Sequence, residues 1–96
     1  MEVIVVGEED GVFIRNPHNK IELAKFNVPA SACCIVEDEI IISHRDKPIL
    51  FTYKIHRSIQ TPKKIIMPDL VSALCASPIG SYLLAGIGME IQLLSF

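Results

Sequence analysis

The segment from Leu70 to Phe96 constrains the fold of this chain more than any other part of it. It contains three short apolar runs, VSALCAS, SYLLAGI and EIQLLSF, separated by Pro78-Ile79-Gly80 and by Gly86-Ile87-Gly88. Each run is too short for a typical helix and is bounded by turn-forming residues. Proline presets φ for the first turn, and the two glycines permit positive φ in the second. The segment therefore predicts a three-stranded antiparallel meander.

The same pattern occurs earlier in the chain. Cys34 and Cys75 are 41 positions apart, and so are Ser31 and Ser72. The run EIIIS aligns with YLLAG, and PILFT aligns with EIQLL. The chain start supplies EVIVV and GVFIR, which match only these last two runs. A repeat of about 40 residues with about four short strands per unit is typical of β-propeller blades.

The chain is therefore predicted to be all-β, a partial β-propeller with about two four-stranded blades plus flanking strands. With strands a to d counted outward from the propeller axis, residues 1–28 supply b-c-d, residues 29–67 supply a-b-c-d, and residues 68–96 supply a-b-c. We expect ten strands, near 2–6, 11–15, 20–26, 30–36, 39–44, 48–55, 58–66, 70–77, 81–86 and 90–96. Val28-Pro29 and Met67-Pro68 are predicted to link consecutive blades. Gly11 is expected to adopt a left-handed conformation in the first hairpin.

Two blades with flanking strands cannot close a ring of about 4–8 blades. Half of the 96 residues are hydrophobic, which is high for so small a domain and indicates burial against something outside the chain. We therefore expect part of a longer protein, a truncated product, or an oligomer whose sheets are completed by other chains. No apolar run approaches the ~20 residues of a membrane span, so no membrane association is expected.

The central strands of each unit are predicted to supply most of the core, because neighbouring blades cover both of their faces. The expected core residues are Ile40, Ile41, Ile42, Ile49, Phe51, Leu83, Leu84, Ile91 and Leu93.

The three cysteines of the chain do not indicate a disulfide framework, since their number is odd and Cys33 and Cys34 are adjacent. They indicate a reducing compartment, either cytosol or nucleus. Adjacent residues of a strand point to opposite faces, so these two thiols are predicted to be separate core positions and not a joint metal or redox site.

No catalytic, cofactor or metal site is predicted, and the chain is not expected to be an enzyme. His18, His44 and His56 lack the spacing of a zinc site. No serine lies in a nucleophile elbow, and GIGMEI lacks the Lys-Ser/Thr of a phosphate-binding loop.

The one distinctive charge feature is the acid-free stretch between Asp46 and Asp69. We define the basic rim as Lys54, His56, Arg57, Lys63 and Lys64, which are the candidate partner-binding residues. They are expected at the end of strand c and along the outer strand d. One interpretation is a lysine-protected sheet edge. The other is contact with rRNA or an acidic segment of a partner. The net charge of −2 gives no general reason to expect nucleic-acid binding.

The order of strands and turns resembles the WD-repeat family, although the usual Gly-His and Trp-Asp pairs are absent. The positions of the Gly-His pair are occupied by Val28-Pro29 and Met67-Pro68-Asp69. The positions of the Trp-Asp pair are occupied by Tyr53-Lys54 and Ser95-Phe96. Within that family, KKIIMPDLVSAL followed by CASPIGSYLLAGIGMEIQLLSF is similar to the early blades of the WD-repeat subunits of the Rix complex, the PELP-containing complex of animals. MEVIVV and EDEIIISHRDKPILFTYKIH resemble the same branch in register.

This resemblance implies a non-catalytic scaffold for protein–protein interaction in ribosome biogenesis. The expected partners are other subunits of a multiprotein complex that assembles the large ribosomal subunit (pre-60S) and processes spacer rRNA in the nucleus and nucleolus. A second interpretation stays open, in which the chain is an oligomerising structural or regulatory β module unrelated to ribosomes, with a cytoplasmic location.

Overall fold

The computed structural model describes residues 4–8, 11–55, 60–76, 82–87 and 90–95. These residues form ten strands and contain no helix. The strands are β1 (Ile4–Glu8), β2 (Gly11–Arg15), β3 (Glu22–Phe26), β4 (Ala30–Val36), β5 (Glu39–His44), β6 (Ile49–Lys54), β7 (Lys63–Ile66), β8 (Val71–Ala76), β9 (Tyr82–Ile87) and β10 (Glu90–Ser95). All ten predicted strands are confirmed. The largest difference is at β7, which begins at residue 63 and not at residue 58.

The strands form three antiparallel sheets in chain order, as expected for successive blades. The first sheet has the order β1-β2-β3, the second β4-β5-β6-β7, and the third β10-β9-β8. Short connections join each strand to its neighbour, so every sheet is a simple meander. The predicted all-β fold class is confirmed: a four-stranded antiparallel sheet lies between two three-stranded ones, in the arrangement expected for propeller blades.

Two apolar clusters hold the sheets face to face. The cluster between the first and second sheets contains Val12, Ile14, Phe26, Val28, Ile40 and Ile42. The cluster between the second and third sheets contains Ile41, Leu50, Met67, Val71, Leu83, Ala85 and Ile87. Ile41 of β5 therefore lies in one cluster and its neighbours Ile40 and Ile42 lie in the other, because successive side chains of a strand point to opposite faces.

The two predicted links between sheets are equivalent in structure. Val28 and Met67 are both buried at 5% exposure, each directly before a proline, and each joins the cluster that its own link crosses. The proline fixes φ as the chain leaves one sheet for the next. The link residues therefore add to the core as well as connecting the blades.

The core prediction is correct for Ile40, Ile41, Ile42 and Leu83, which are fully buried, but not for all of the central strands. Ile49 and Phe51 are partly buried. Leu84, Ile91 and Leu93 are exposed, which corrects the prediction for these three. They lie on the face of the third sheet that no other described element of the chain covers.

Two predictions about glycines are wrong. Gly11 does not have positive φ; it is required because a Cβ there would lie 2.7 Å from the backbone oxygen of Phe26. Gly86 and Ile87 belong to β9 and not to a turn, since Gly86 pairs with Ile91 and Ile87 with Glu90. Gly88 lies outside the described residues.

The strand pairing also corrects the sequence alignment of the repeats by one residue. Ile41 pairs with Thr52, and Leu84 pairs with Leu93, so Thr52 and Leu93 are equivalent. Lys25 lies over the ring of Phe13 and Lys64 over the ring of Phe51, which makes these two phenylalanines equivalent. The aligned runs had placed Phe13 opposite Leu50. The connection between β5 and β6 is longer than the connection between β1 and β2. An alignment of the apolar runs that ignores this difference in length is therefore shifted by one residue.

Candidate protein-interaction site

The third sheet presents an apolar surface on the side that faces away from the second sheet. We call it the open face and define it by Cys75, Leu84, Ile91 and Leu93. Cys75 and Leu93 pair with Leu84 from its two sides, so the three side chains form one row across the sheet. The exposed fractions are 43% for Leu84, 76% for Ile91 and 64% for Leu93. Contiguous exposed apolar side chains of this kind mark a contact surface.

The open face of the third sheet is equivalent to one face of the second sheet, the face on which the third sheet packs. Ile41 is equivalent to Leu84 and Leu50 to Ile91, since Ser43 pairs with Leu50 as Gly86 pairs with Ile91. Ile41 and Leu50 are fully buried. The fold therefore places apolar side chains at the same positions in both sheets, but within the described chain it covers only one set.

A hydroxyl network joins the covered pair of sheets. Ser31 Oγ lies 2.6 Å from Ser43 Oγ and donates to the backbone oxygen of Val71 at 2.6 Å, across the gap between the sheets. A bulge in β4 between Ala30 and Ala32 places Ser31 at this junction.

The third sheet repeats this arrangement on its open face. A bulge in β8 lies between Val71 and Ala73, and Ser72 Oγ donates to the backbone oxygen of Gly86 at 3.3 Å. The interval of 41 residues from Ser31 to Ser72 was visible in the sequence, but only the structure shows that this position contacts the next sheet. Ser72 thus occupies the position from which Ser31, in the second sheet, hydrogen-bonds to the neighbouring sheet.

The three described members of the basic rim, Lys54, Lys63 and Lys64, do not share one surface. Lys63 and Lys64 are adjacent in β7 and lie on opposite faces of the second sheet; Lys64 Nζ is 5.7 Å from the centre of the Phe51 ring. Lys54 Nζ forms ion pairs with Glu39 at 2.7 Å and Asp38 at 3.5 Å. The hydrogen bond to Glu39 raises the pKa of Lys54. His56 and Arg57 lie outside the described residues.

The adjacent cysteines point to opposite faces, as predicted. Cys33 packs on the cluster between the first and second sheets, and Cys34 packs on the next cluster. Burial raises the pKa of the Cys33 thiol, and burial with nearby Cys33 and Cys75 raises the pKa of Cys34 to about 11. Both thiols are therefore protonated at neutral pH and are poor nucleophiles.

The described residues contain neither a metal-binding cluster nor a membrane-spanning helix. Among them, no group of three or more His, Cys, Asp or Glu side chains is placed to hold a metal ion. No helix in the described part of the chain is long and apolar enough to cross a membrane.

Comparisons with known proteins agree with this architecture. The chain is 31% identical to "WD repeat-containing protein 18" of Danio rerio over 97% of its own length and 23% of that protein. The chain is therefore similar to one part of a WD-repeat protein and spans less than a quarter of that protein's length. The fold is similar to the crystal structure of the computationally designed Ika4 protein, with a TM-score of 0.74 and 14% sequence identity, over 97% of this chain and 59% of that one. No family model matches the sequence.

Proposed function

We propose that this chain, which is part of a WD-repeat-type β-propeller, is a non-catalytic protein-interaction scaffold in assembly of the large ribosomal subunit. Its partners are other protein subunits of a nucleolar complex that acts around the removal of spacer RNA. The WD-repeat relative supports the scaffold role. The ribosomal role is supported by the resemblance of its strand and turn sequences to the WD-repeat subunits of the Rix complex.

The open face is the single observation that carries the scaffold role. Burying Leu84, Ile91 and Leu93 would stabilise a complex, because each fully buried side chain of this size contributes about 1.5–3 kcal/mol. The face has no charged residue at its centre, where Leu84 lies between Cys75 and Leu93. Its partner must therefore offer an apolar surface in return.

A further β-sheet of the same kind is the partner that fits the open face. The pair already present shows how such a contact forms: Val71, Leu83 and Ala85 of one sheet cover Ile41 and Leu50 of the sheet before it. Ser72 is positioned to bond a backbone oxygen of the covering strand, as Ser31 bonds Val71. A partner subunit that supplies such a sheet would dock on the open face and extend the row of sheets.

The alternative function is an oligomerising β module, which the same open face favours if a second copy covers it. The two functions differ in what is recovered with the chain. A scaffold in ribosome assembly brings down a defined set of other proteins, whereas an oligomerising module brings down copies of itself.

Affinity purification of the tagged full-length protein from its source cell, followed by mass spectrometry, separates the two. We expect stoichiometric recovery of the subunits of a ribosome-assembly complex, and accumulation of precursor RNA that retains the internal spacer when the protein is depleted. Recovery of the bait alone, in a defined oligomer and with normal RNA processing, would overturn the ribosomal function.

A further inference from the structure

The sequence contains two dipeptides in which a hydroxyl residue directly precedes a proline, Thr61-Pro62 and Ser77-Pro78. Lys64 stands three positions after Thr61, whereas Gly80 stands three positions after Ser77. A hydroxyl residue, a proline next to it and a cation two positions beyond the proline form the substrate pattern of a class of proline-directed protein kinases. Such an enzyme accepts a residue that has no N–H after the hydroxyl residue, and it pairs the cation with its own acidic groups. The sequence therefore favours Thr61 over Ser77.

The structure places Thr61 where an enzyme can reach it. Thr61 is exposed and lies just before β7, the outermost strand of the second sheet. The pairing of β6 with β7 begins at Thr52 and Lys63, so Thr61 and Pro62 precede the ladder. The residue before a proline favours an extended backbone, which is the form in which a kinase cleft binds its substrate. The other threonine of the chain, Thr52, is buried at 6% exposure.

The segment that follows Thr61 is also open to an enzyme. Lys64 is exposed, and its Nζ lies 5.7 Å from the centre of the Phe51 ring. A single exposed cation–π contact is weak, so a carboxylate of an enzyme can replace it. On the other side of Thr61, the Gln60 side chain bonds both backbone groups of Lys54 at 2.7 Å and fixes the start of the segment against β6. Residues 61–64 are thus presented at the edge of the sheet.

We propose that Thr61 is a phosphorylation site for a proline-directed Ser/Thr kinase that selects a basic residue three positions after the hydroxyl. The phosphoryl donor is the ATP–magnesium complex. Thr61 Oγ1 attacks the γ-phosphorus, the bond from that phosphorus to the β–γ bridging oxygen breaks, and ADP leaves. The hydroxyl proton passes to the catalytic Asp of the kinase. The site goes beyond the scaffold function and does not depend on it.

The phosphate would be added among charged side chains. Thr61 lines a surface cavity together with Glu39, Lys54 and Lys63. Lys54 Nζ is paired with Glu39 at 2.7 Å. A phosphothreonine carries a charge of about −1.5 to −2 at pH 7, so it attracts the two ammonium groups and repels the carboxylate. Phosphorylation should therefore weaken any contact that Lys54 or Lys63 makes with an anionic partner.

The test is phosphorylation of the folded full-length protein by a purified cyclin-dependent kinase with magnesium and ATP, each modified residue being assigned by tandem mass spectrometry. We expect Thr61 to be modified about tenfold faster than Ser77, which lacks the cation. Pro62→Ala and Lys64→Met should each slow the reaction at Thr61 about tenfold. Lys63→Met removes the neighbouring cation, which is not part of the pattern, and is the matched control; it should change the rate less than about twofold.

A synthetic peptide of residues 55–66 separates the motif from the fold, and the same substitutions in the peptide remove any effect of folding. The proposal is overturned if the peptide is phosphorylated but the folded protein is not, because the fold then hides Thr61. Equal rates at Thr61 and Ser77, or a rate that neither Pro62→Ala nor Lys64→Met lowers, would exclude this class of kinase.

The protein purified from dividing source cells in the presence of phosphatase inhibitors tests the site in its natural setting. We expect phosphothreonine at position 61, and its loss when an inhibitor of cyclin-dependent kinases is added. Unmodified Thr61 in these cells would refute the proposal and leave the scaffold function intact. Phosphorylated Thr61 in a protein that recovers no ribosome-assembly partner would support the site and refute the ribosomal function.

Discussion

Ile41 and Leu84 occupy equivalent positions in consecutive sheets, yet Ile41 is fully buried and 43% of Leu84 is exposed. The difference comes from what lies over each residue. The third sheet covers Ile41, and no described part of the chain covers Leu84. The exposed face around Leu84 is the surface through which we propose that this chain binds a partner.

Leu83→Ala should destabilise the fold far more than Leu84→Ala. Leu83 is fully buried between the second and third sheets, so its truncation leaves a cavity and costs about 2–5 kcal/mol. Leu84 contacts solvent in the monomeric chain, so its truncation should cost less than about 1 kcal/mol at concentrations too low for the chain to associate. Urea denaturation of both variants measures the two costs. Equal losses would mean that the open face is packed against something within the chain itself.

The cysteines give a chemical probe of the same surface. Cys75 is exposed, whereas the thiol of Cys34 is half-buried and has a pKa raised to about 11, mainly by burial. At pH 8, in a solution dilute enough for the chain to be monomeric, iodoacetamide should therefore alkylate Cys75 much faster than Cys34. In an oligomer or complex, a sheet over the open face should slow the reaction of Cys75. Mass spectrometry of tryptic peptides reads both rates, and an unchanged rate at Cys75 would argue that the face stays open.

Gly11→Ala should destabilise the first sheet, and Gly7→Ala is its matched control. A Cβ at Gly11 would lie 2.7 Å from the backbone oxygen of Phe26, which cannot rotate away. Overpacking of this kind costs about 1–3 kcal/mol. At Gly7 nothing lies within 4 Å of the added atom, so alanine should be neutral or stabilising by up to about 1 kcal/mol. Thermal melts of the two variants would refute this explanation if they coincided.

The raised pKa of Cys34 predicts a loss of stability at alkaline pH. The pKa of the Cys34 thiol is raised from its ordinary value of 9.0 in the unfolded chain to about 11 in the folded chain. The preference of the folded state for the protonated thiol is fully present below pH 9.0, and it is lost as pH rises through about 11. Denaturation between pH 8 and 11 should show a steeper decline for the wild type than for Cys34→Ala. Identical slopes would mean that Cys34 is not buried as the structure places it.

The sequence was sufficient to predict the strands, because each apolar run ends at turn-forming residues whose effect is local. It also predicted the opposite orientations of Cys33 and Cys34, which follow from the period of a strand. It could not predict the exposure of Leu84, Ile91 and Leu93, because burial depends on the neighbouring sheet and not on the strand itself.

The candidate site was predicted less well than the strands. Five basic residues close in sequence indicated one surface, but the alternation of a strand places Lys63 and Lys64 on opposite faces. The ion pairs of Lys54 depend on the pairing of β5 with β6, which sets Glu39 opposite Lys54. The burial of the Thr52 hydroxyl without a hydrogen-bond partner among the described residues has no sequence signal, since it arises only on folding.

Light scattering coupled to size-exclusion chromatography tests the central claim most directly, that the open face is an interface. The wild-type chain should elute as an oligomer, a complex or an aggregate, because its apolar face recruits another sheet. Leu84→Gln with Leu93→Gln should shift it toward a monomer. Leu23→Gln should not, although Leu23 is exposed to a similar extent, at 45%, in the first sheet. A monodisperse wild-type monomer with a sharp unfolding transition, unchanged by the double substitution, would contradict the claim.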